Sequence, residues 1–280
     1  MQVVWSRKVA APPRGLVLAR ERGWLLVWDS DHVLHLFNRT GETQARFQAA
    51  DAVVAACCAD DGVGFAAVGA QGLVWMLAPD LSPRWERTLP QRGTAAALDP
   101  FGQFLAAADA GGGLVLYDRT GRERWRAANA RPLHHLAFVP ERPALIAAAD
   151  FGLVVCYGIG GDLLWRDTPV AHTASLAVSG DGAVIALACF SDGLCCYSLD
   201  GPKRRRIEGP GPCRLAAASY DGDLFLTADL NQRLQLRDAQ GNLRGEWLMD
   251  GAPTDLALAA LGDLAYVAAT DGRILMLRTS

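Results

Sequence analysis

Gly121-Arg-Glu-Arg-Trp125-Arg126 returns forty residues on as Gly161-Asp-Leu-Leu-Trp165-Arg166, and forty residues back the same tryptophan stands in Trp85-Glu-Arg87. A second marker keeps nearly the same step. Gly23, Gly62, Gly102, Pro143, Gly182, Gly222 and Gly262 follow one another at 39, 40, 41, 39, 40 and 40 residues. A third is a glycine at 72, 113, 152, 193 and 272, which one unit replaces with Asp229-Leu-Asn-Gln-Arg233. Seven units of about 40 residues account for the 280-residue chain. A fixed period of this size marks a stacked-repeat architecture.

Within the third unit, apolar Thr94–Leu98 meets the turn Asp99-Pro-Phe-Gly102, and Phe104–Ala108 follows. Asp109–Gly113 then turns the chain into Leu114–Tyr117, and Asp118-Arg-Thr-Gly121 leads to Arg122–Arg126. Each run is short, apolar or alternating, and bounded by Gly, Asp or Pro, which is strand-and-turn chemistry. The first three runs are rich in Ala and Leu, as strands covered on both faces are. The fourth alternates charge with one aromatic, which suits a half-exposed edge. No stretch carries a helical period with caps. The chain is therefore all-β. Four short antiparallel strands cannot cover their own two faces, so the units must stack, and radial stacking closes into a propeller. The expectation is a single seven-bladed β-propeller with blades near 13–51, 52–93, 94–131, 132–171, 172–212, 213–252 and 253–280. The last blade stops at its third run, Ile274–Arg278. Val3-Val4-Trp5-Ser6-Arg7 has the make-up of a fourth run, so residues 1–12 are expected to complete that blade and close the ring.

Composition narrows the function. The formal charge is −3, from 27 basic and 30 acidic residues, which gives no global case for nucleic acid or an anionic membrane surface. Apolar residues are 51% of the chain, yet no run approaches the roughly 18 residues of a membrane span. The first residues lack the basic-then-apolar layout of a signal peptide. Seven scattered cysteines, two pairs of them adjacent (Cys57-Cys58 and Cys195-Cys196), read as reduced apolar fillers in a cytoplasmic protein.

The Trp125 and Trp165 elements resemble the Gly…Leu-Trp-Arg outer-strand element of bacterial WD-repeat-like and quinoprotein-type (pyrroloquinoline-quinone-type) propeller repeats. Tyr117-Asp118 stands where WD repeats carry Trp-Asp, and Ala171-His172 is the nearest approach to their Gly-His. The quinoprotein side of the resemblance implies an enzyme with a quinone cofactor and calcium; the WD side implies a docking platform. The adjacent cysteines resemble the vicinal disulfide of some quinoprotein enzymes. Neighbouring residues on a strand point to opposite faces, so packing explains both pairs more simply.

Local catalytic motifs are absent. No Cys-x-x-Cys, Gly-x-Ser-x-Gly or phosphate loop occurs, and Gly158-Ile-Gly-Gly161 reads as a turn with no helix after it. None of the five histidines has a companion at metal-ligand spacing, and His32 and His35 are expected on opposite faces of one strand. Neither a cofactor nor a metal is expected.

The most regular polar feature is an aspartate at the turn between second and third runs: Asp29 (or Asp31), Asp109, Asp150, Asp192, Asp229 and Asp271. One reading has each carboxylate capping its own tight turn. The other has them form an acidic rosette at the axial mouth that takes a basic peptide, an amine or a cation. The same face should carry Arg92, Arg131 and His172 on loops between blades, with Phe151 and Phe190 as aromatic anchors and Pro-rich pieces such as residues 208–212. Lys203-Arg-Arg-Arg206 is read as a charged outer strand that blocks edge-to-edge aggregation. The expected function is a non-catalytic cytoplasmic scaffold that binds a protein or peptide on this face. The alternatives are a small-molecule or metal-dependent enzyme using the central channel and, more remotely, nucleic-acid binding through Lys203–Arg206.

Overall fold

The computed structural model describes residues 1–140, 142–190, 193–207 and 212–279, with the backbone alone at 202 and 203. It forms seven four-stranded antiparallel sheets, each strand hydrogen-bonded to its sequence neighbour except in the last. There the outermost strand is Gln2–Lys8, paired with Arg273–Arg278. The ring is thus a seven-bladed β-propeller closed by its first strand.

The innermost strands are Pro13–Ala19, Val53–Cys58, Gly93–Leu98, His135–Val139, Thr173–Val178, Cys213–Ala218 and Pro253–Leu258, for blades 1 to 7. Each starts on the face that also holds the turns between second and third strands, here the upper face. Apolar side chains gather between blades. Seven separate clusters occupy the seven seams, as with Leu26, Trp28, Phe65 and Trp75 between blades 1 and 2. The adjacent cysteines follow the pleat: Cys58 joins the seam to blade 1 and Cys57 the seam to blade 3. Burial pushes both thiols upward in pKa.

The tryptophan period has a physical cause. Four outer-strand indoles reach the outer turn of the next blade and donate to a carbonyl 34 residues on. The pairs are Trp5 to Arg39 (3.0 Å), Trp85 to Arg119 (3.0 Å), Trp125 to Ile159 (2.8 Å) and Trp165 to Leu199 (3.0 Å). In blade 5 the Arg205 guanidinium makes the same link to the Ala239 carbonyl at 3.0 Å. Blades 1 and 6 have Ala45 and Gly245 in that place and no donor to offer. The rings of Trp85, Trp125 and Trp165 also lie 5.7, 5.7 and 5.9 Å from Tyr117, Tyr157 and Tyr197 of the following blade.

Two details differ from the sequence reading. In blade 3 the residue with left-handed backbone is Gly112 (φ 83°), one before the glycine taken as marker. His32 lies in a turn at φ 66°, outside the strand Val33–Phe37 that holds His35.

Candidate functional site

A left-handed residue closes most upper turns, and counting three back from it finds the end of the second strand. That place holds Asp29, Asp109 and Asp229 in blades 1, 3 and 6. Their Oδ1 atoms accept the N–H groups of Asp31 and Val33, of Gly111 and Gly113, and of Asn231 and Arg233, at 2.7 to 3.0 Å. Asp29 also meets His35 Nε2 at 2.8 Å. Asp29 and Asp109 are 2% and 3% exposed, so their carboxylates are closed to a partner. In blade 2 the place is Gly69, where an added Cβ would stand 2.2 Å from Asp51 Oδ2; Asp51 caps this turn from the preceding loop by accepting from Gln71.

Asp150 and Asp271 belong to a different frame. Their strands end at Ala148 and Ala269, and each aspartate comes two residues later. Asp271 accepts the Arg273 N–H at 3.0 Å and pairs with its guanidinium. Asp150 caps no turn N–H among the described residues. Its Oδ1 lies 3.2 Å from His134 Nδ1 and 3.5 Å from His135 Nε2. The His135 imidazole, with His134 and His172 behind it, holds the Asp150 carboxyl below its ordinary pKa against the pull of burial. Asp192, the Lys203 side chain and residues 208–211 fall outside the described residues. Arg204 pairs with Asp167 at 3.2 Å on the outer strand of blade 5.

The remaining expected residues meet over blades 4 and 5. Phe151 and His172 form an isolated β-bridge, their rings 4.7 Å apart, which ties the upper turn of blade 4 to the loop entering blade 5. The Arg131 guanidinium stands 5.9 Å over Phe151. The Phe190 N–H donates to the His172 carbonyl at 3.2 Å, and its ring is 39% exposed. A hollow of about 690 Å³ lies outward of this bridge, against Arg131, Phe151, Arg166 and Val170. A second, of about 390 Å³, lies inward at the channel mouth, against His135, Asp150, His172, Phe190, Arg214 and Thr254. Val170 is 87% exposed beside the first. Arg92 stands exposed on the loop into blade 3, apart from this group.

The channel itself is a well of about 370 Å³ walled mainly by Ala and Leu of the inner strands. One level of it is a column in the sequence: Gly15, Ala55, Ala95, His135, Ser175, Leu215 and Asp255. Asp255 accepts the N–H of Leu16 in blade 1 at 3.0 Å and of Leu256 at 2.9 Å. Burial raises its pKa to about 6, outweighing both hydrogen bonds. At the lower end Arg20 reaches from blade 1 across to the Val178 carbonyl of blade 5, at 3.0 Å. Sequence reading missed His134, His135, Arg214, Thr254 and Asp255. The available signal for His135 and Asp255 was a polar residue in a column that holds Gly15, Ala55 and Ala95 in other inner strands.

Among the described residues no group of three or more His, Cys, Asp or Glu is arranged to hold a metal ion, and no helix is long and apolar enough to cross a membrane. No protein-family model matches the chain, and no curated protein matches it.

Proposed function

We propose that this propeller is a non-catalytic platform that docks a protein or peptide segment across the upper face of blades 4 and 5. The observation that carries the reading is the pair of adjoining hollows on either side of the Phe151–His172 bridge, beside exposed Val170 and half-exposed Phe190. A furrow with aromatic footing on a rigid scaffold suits an extended chain. Its charge selects the partner. Among the described residues, Arg131, Arg166 and Arg214 with three histidines outnumber Asp150 and Asp167 there, while Asp29 and Asp109 are buried in their turns. An acidic segment therefore replaces the basic one that a carboxylate rosette would have taken. In this reading the protein acts in the cytoplasm, and its repeats belong with the WD-like and quinoprotein-type propellers through Trp85, Trp125, Trp165 and the tyrosines they meet.

The test is capture from host lysate with three baits: wild type, an upper-face Arg131→Glu/Val170→Asp variant, and a lower-face Phe101→Ser/Leu261→Ser variant. Phe101 and Leu261 are 64% and 82% exposed, so the control is equally superficial. A stoichiometric protein should be lost with the upper-face variant and kept with the lower-face one. Equal capture by the upper-face variant would overturn the reading.

A further inference from the structure

Among the described residues, the inward hollow at the channel mouth is rich in donors and short of acceptors. Arg214, the imidazoles of His135 and His172 and the Thr254 hydroxyl all line it. Its charged acceptor is Asp150, already engaged by His134 at 3.2 Å. Arg214 has no hydrogen-bond or ion-pair partner among the described residues. Thr254 Oγ1 is buried, also without a hydrogen-bond partner among the described residues. Buried polar atoms are ordinarily satisfied, and a guanidinium can only donate. Such a lining suits an anion with several acceptor positions, and a carboxylate matches the guanidinium fork two bonds at a time.

We propose that this hollow is a carboxylate site, filled by a Glu or Asp side chain of the docked segment. Arg214 holds the two oxygens, the Thr254 hydroxyl and the imidazoles supply further donors, and Phe190 covers the side-chain stem. The source of the carboxylate rests on the platform reading; the chemistry of the site does not.

The test titrates the ¹⁵N-labelled full chain with N-acetyl-glutamate amide and, in parallel, with N-acetyl-glutamine amide, followed by NMR. The expected result is saturable shifts at Arg214, His172 and Thr254 with the glutamate compound. Binding should be about ten- to a hundredfold weaker for the glutamine compound and for Arg214→Gln, the range for losing a charge-assisted hydrogen bond. The Arg214 side chain makes no hydrogen bond or ion pair among the described residues, so Arg214→Gln should melt as wild type does; Thr254→Val is a second, smaller perturbation of the same site. No saturable shift, or equal binding by Arg214→Gln or by the glutamine compound, overturns the carboxylate site. Capture of the partner by Arg214→Gln as strongly as by wild type overturns the anchor while leaving the platform standing. If the glutamate compound binds but the Arg131→Glu/Val170→Asp variant captures partner normally, the platform reading fails and the docked segment is overturned as the source.

Discussion

Replacing Asp255 with asparagine should flatten one portion of the pH dependence of stability, and its size follows from where the carboxyl sits. Asp255 lines the channel wall at the seam between blades 7 and 1, with backbone N–H groups on both oxygens but no cation beside it. Its ordinary value of 3.8 rises to about 6 on folding. At about 1.36 kcal/mol per pH unit, the carboxylate form weakens the folded state by up to about 3 kcal/mol. The sign is fixed by proton counting. Below 3.8 both states are protonated and nothing is lost; between 3.8 and 6 the folded chain keeps a proton the unfolded one releases, so stability falls as pH rises; above 6 the loss is complete. Urea unfolding followed by tryptophan fluorescence at closely spaced pH values measures this directly, since eight tryptophans report. The wild-type minus Asp255→Asn difference cancels the other carboxylates. It should drift against the wild type by about 2 kcal/mol between pH 4.5 and 7. Parallel profiles would refute the assignment of a buried, burial-shifted acid.

The outer-strand links carry their own expectations. Trp125→Phe keeps the ring and removes the bond to the Ile159 carbonyl, and should cost about 1 kcal/mol in urea unfolding. Trp5→Ala removes a buried indole at the closing strand, and should cost about 3 to 5 kcal/mol; deletion of residues 1–11 should lower the melting temperature further, and unchanged melting would contradict the closure. The aspartates should divide by frame: Asp109→Ala and Asp51→Ala each remove a buried carboxylate that caps two turn N–H groups and should cost about 1 to 3 kcal/mol, whereas Asp150→Ala should be nearly neutral by thermal melting.

The blade architecture was legible because its markers are large and obligatory. A tryptophan that must reach a carbonyl 34 residues on cannot drift in spacing. The aspartates were legible as a recurrence but not as a frame. Asp109 and Asp150 look alike in a linear string, and only the left-handed Gly112 and Gly152 show that one ends a strand and the other follows it. That one-residue offset turns a buried cap into an exposed carboxylate among histidines. The channel mouth was least legible. His135, Arg214 and Thr254 are ordinary residues singly, and the forty-residue column that sets His135 level with Asp255 becomes meaningful only when the ring closes.

That closure has a consequence for biosynthesis. The strand Gln2–Lys8 is made long before its partner Arg273–Arg278, with six whole blades between them in the chain. At roughly 5–20 residues per second, the early strand waits on the order of half a minute before any partner exists. Through that time it is an open edge carrying exposed Val3 and Val4, flanked by Arg7 and Lys8. Those two cations are well placed to discourage a neighbouring nascent chain from pairing there first. Six blades can stack as they emerge, but the seventh forms only when Gln2–Lys8 meets Arg273–Arg278.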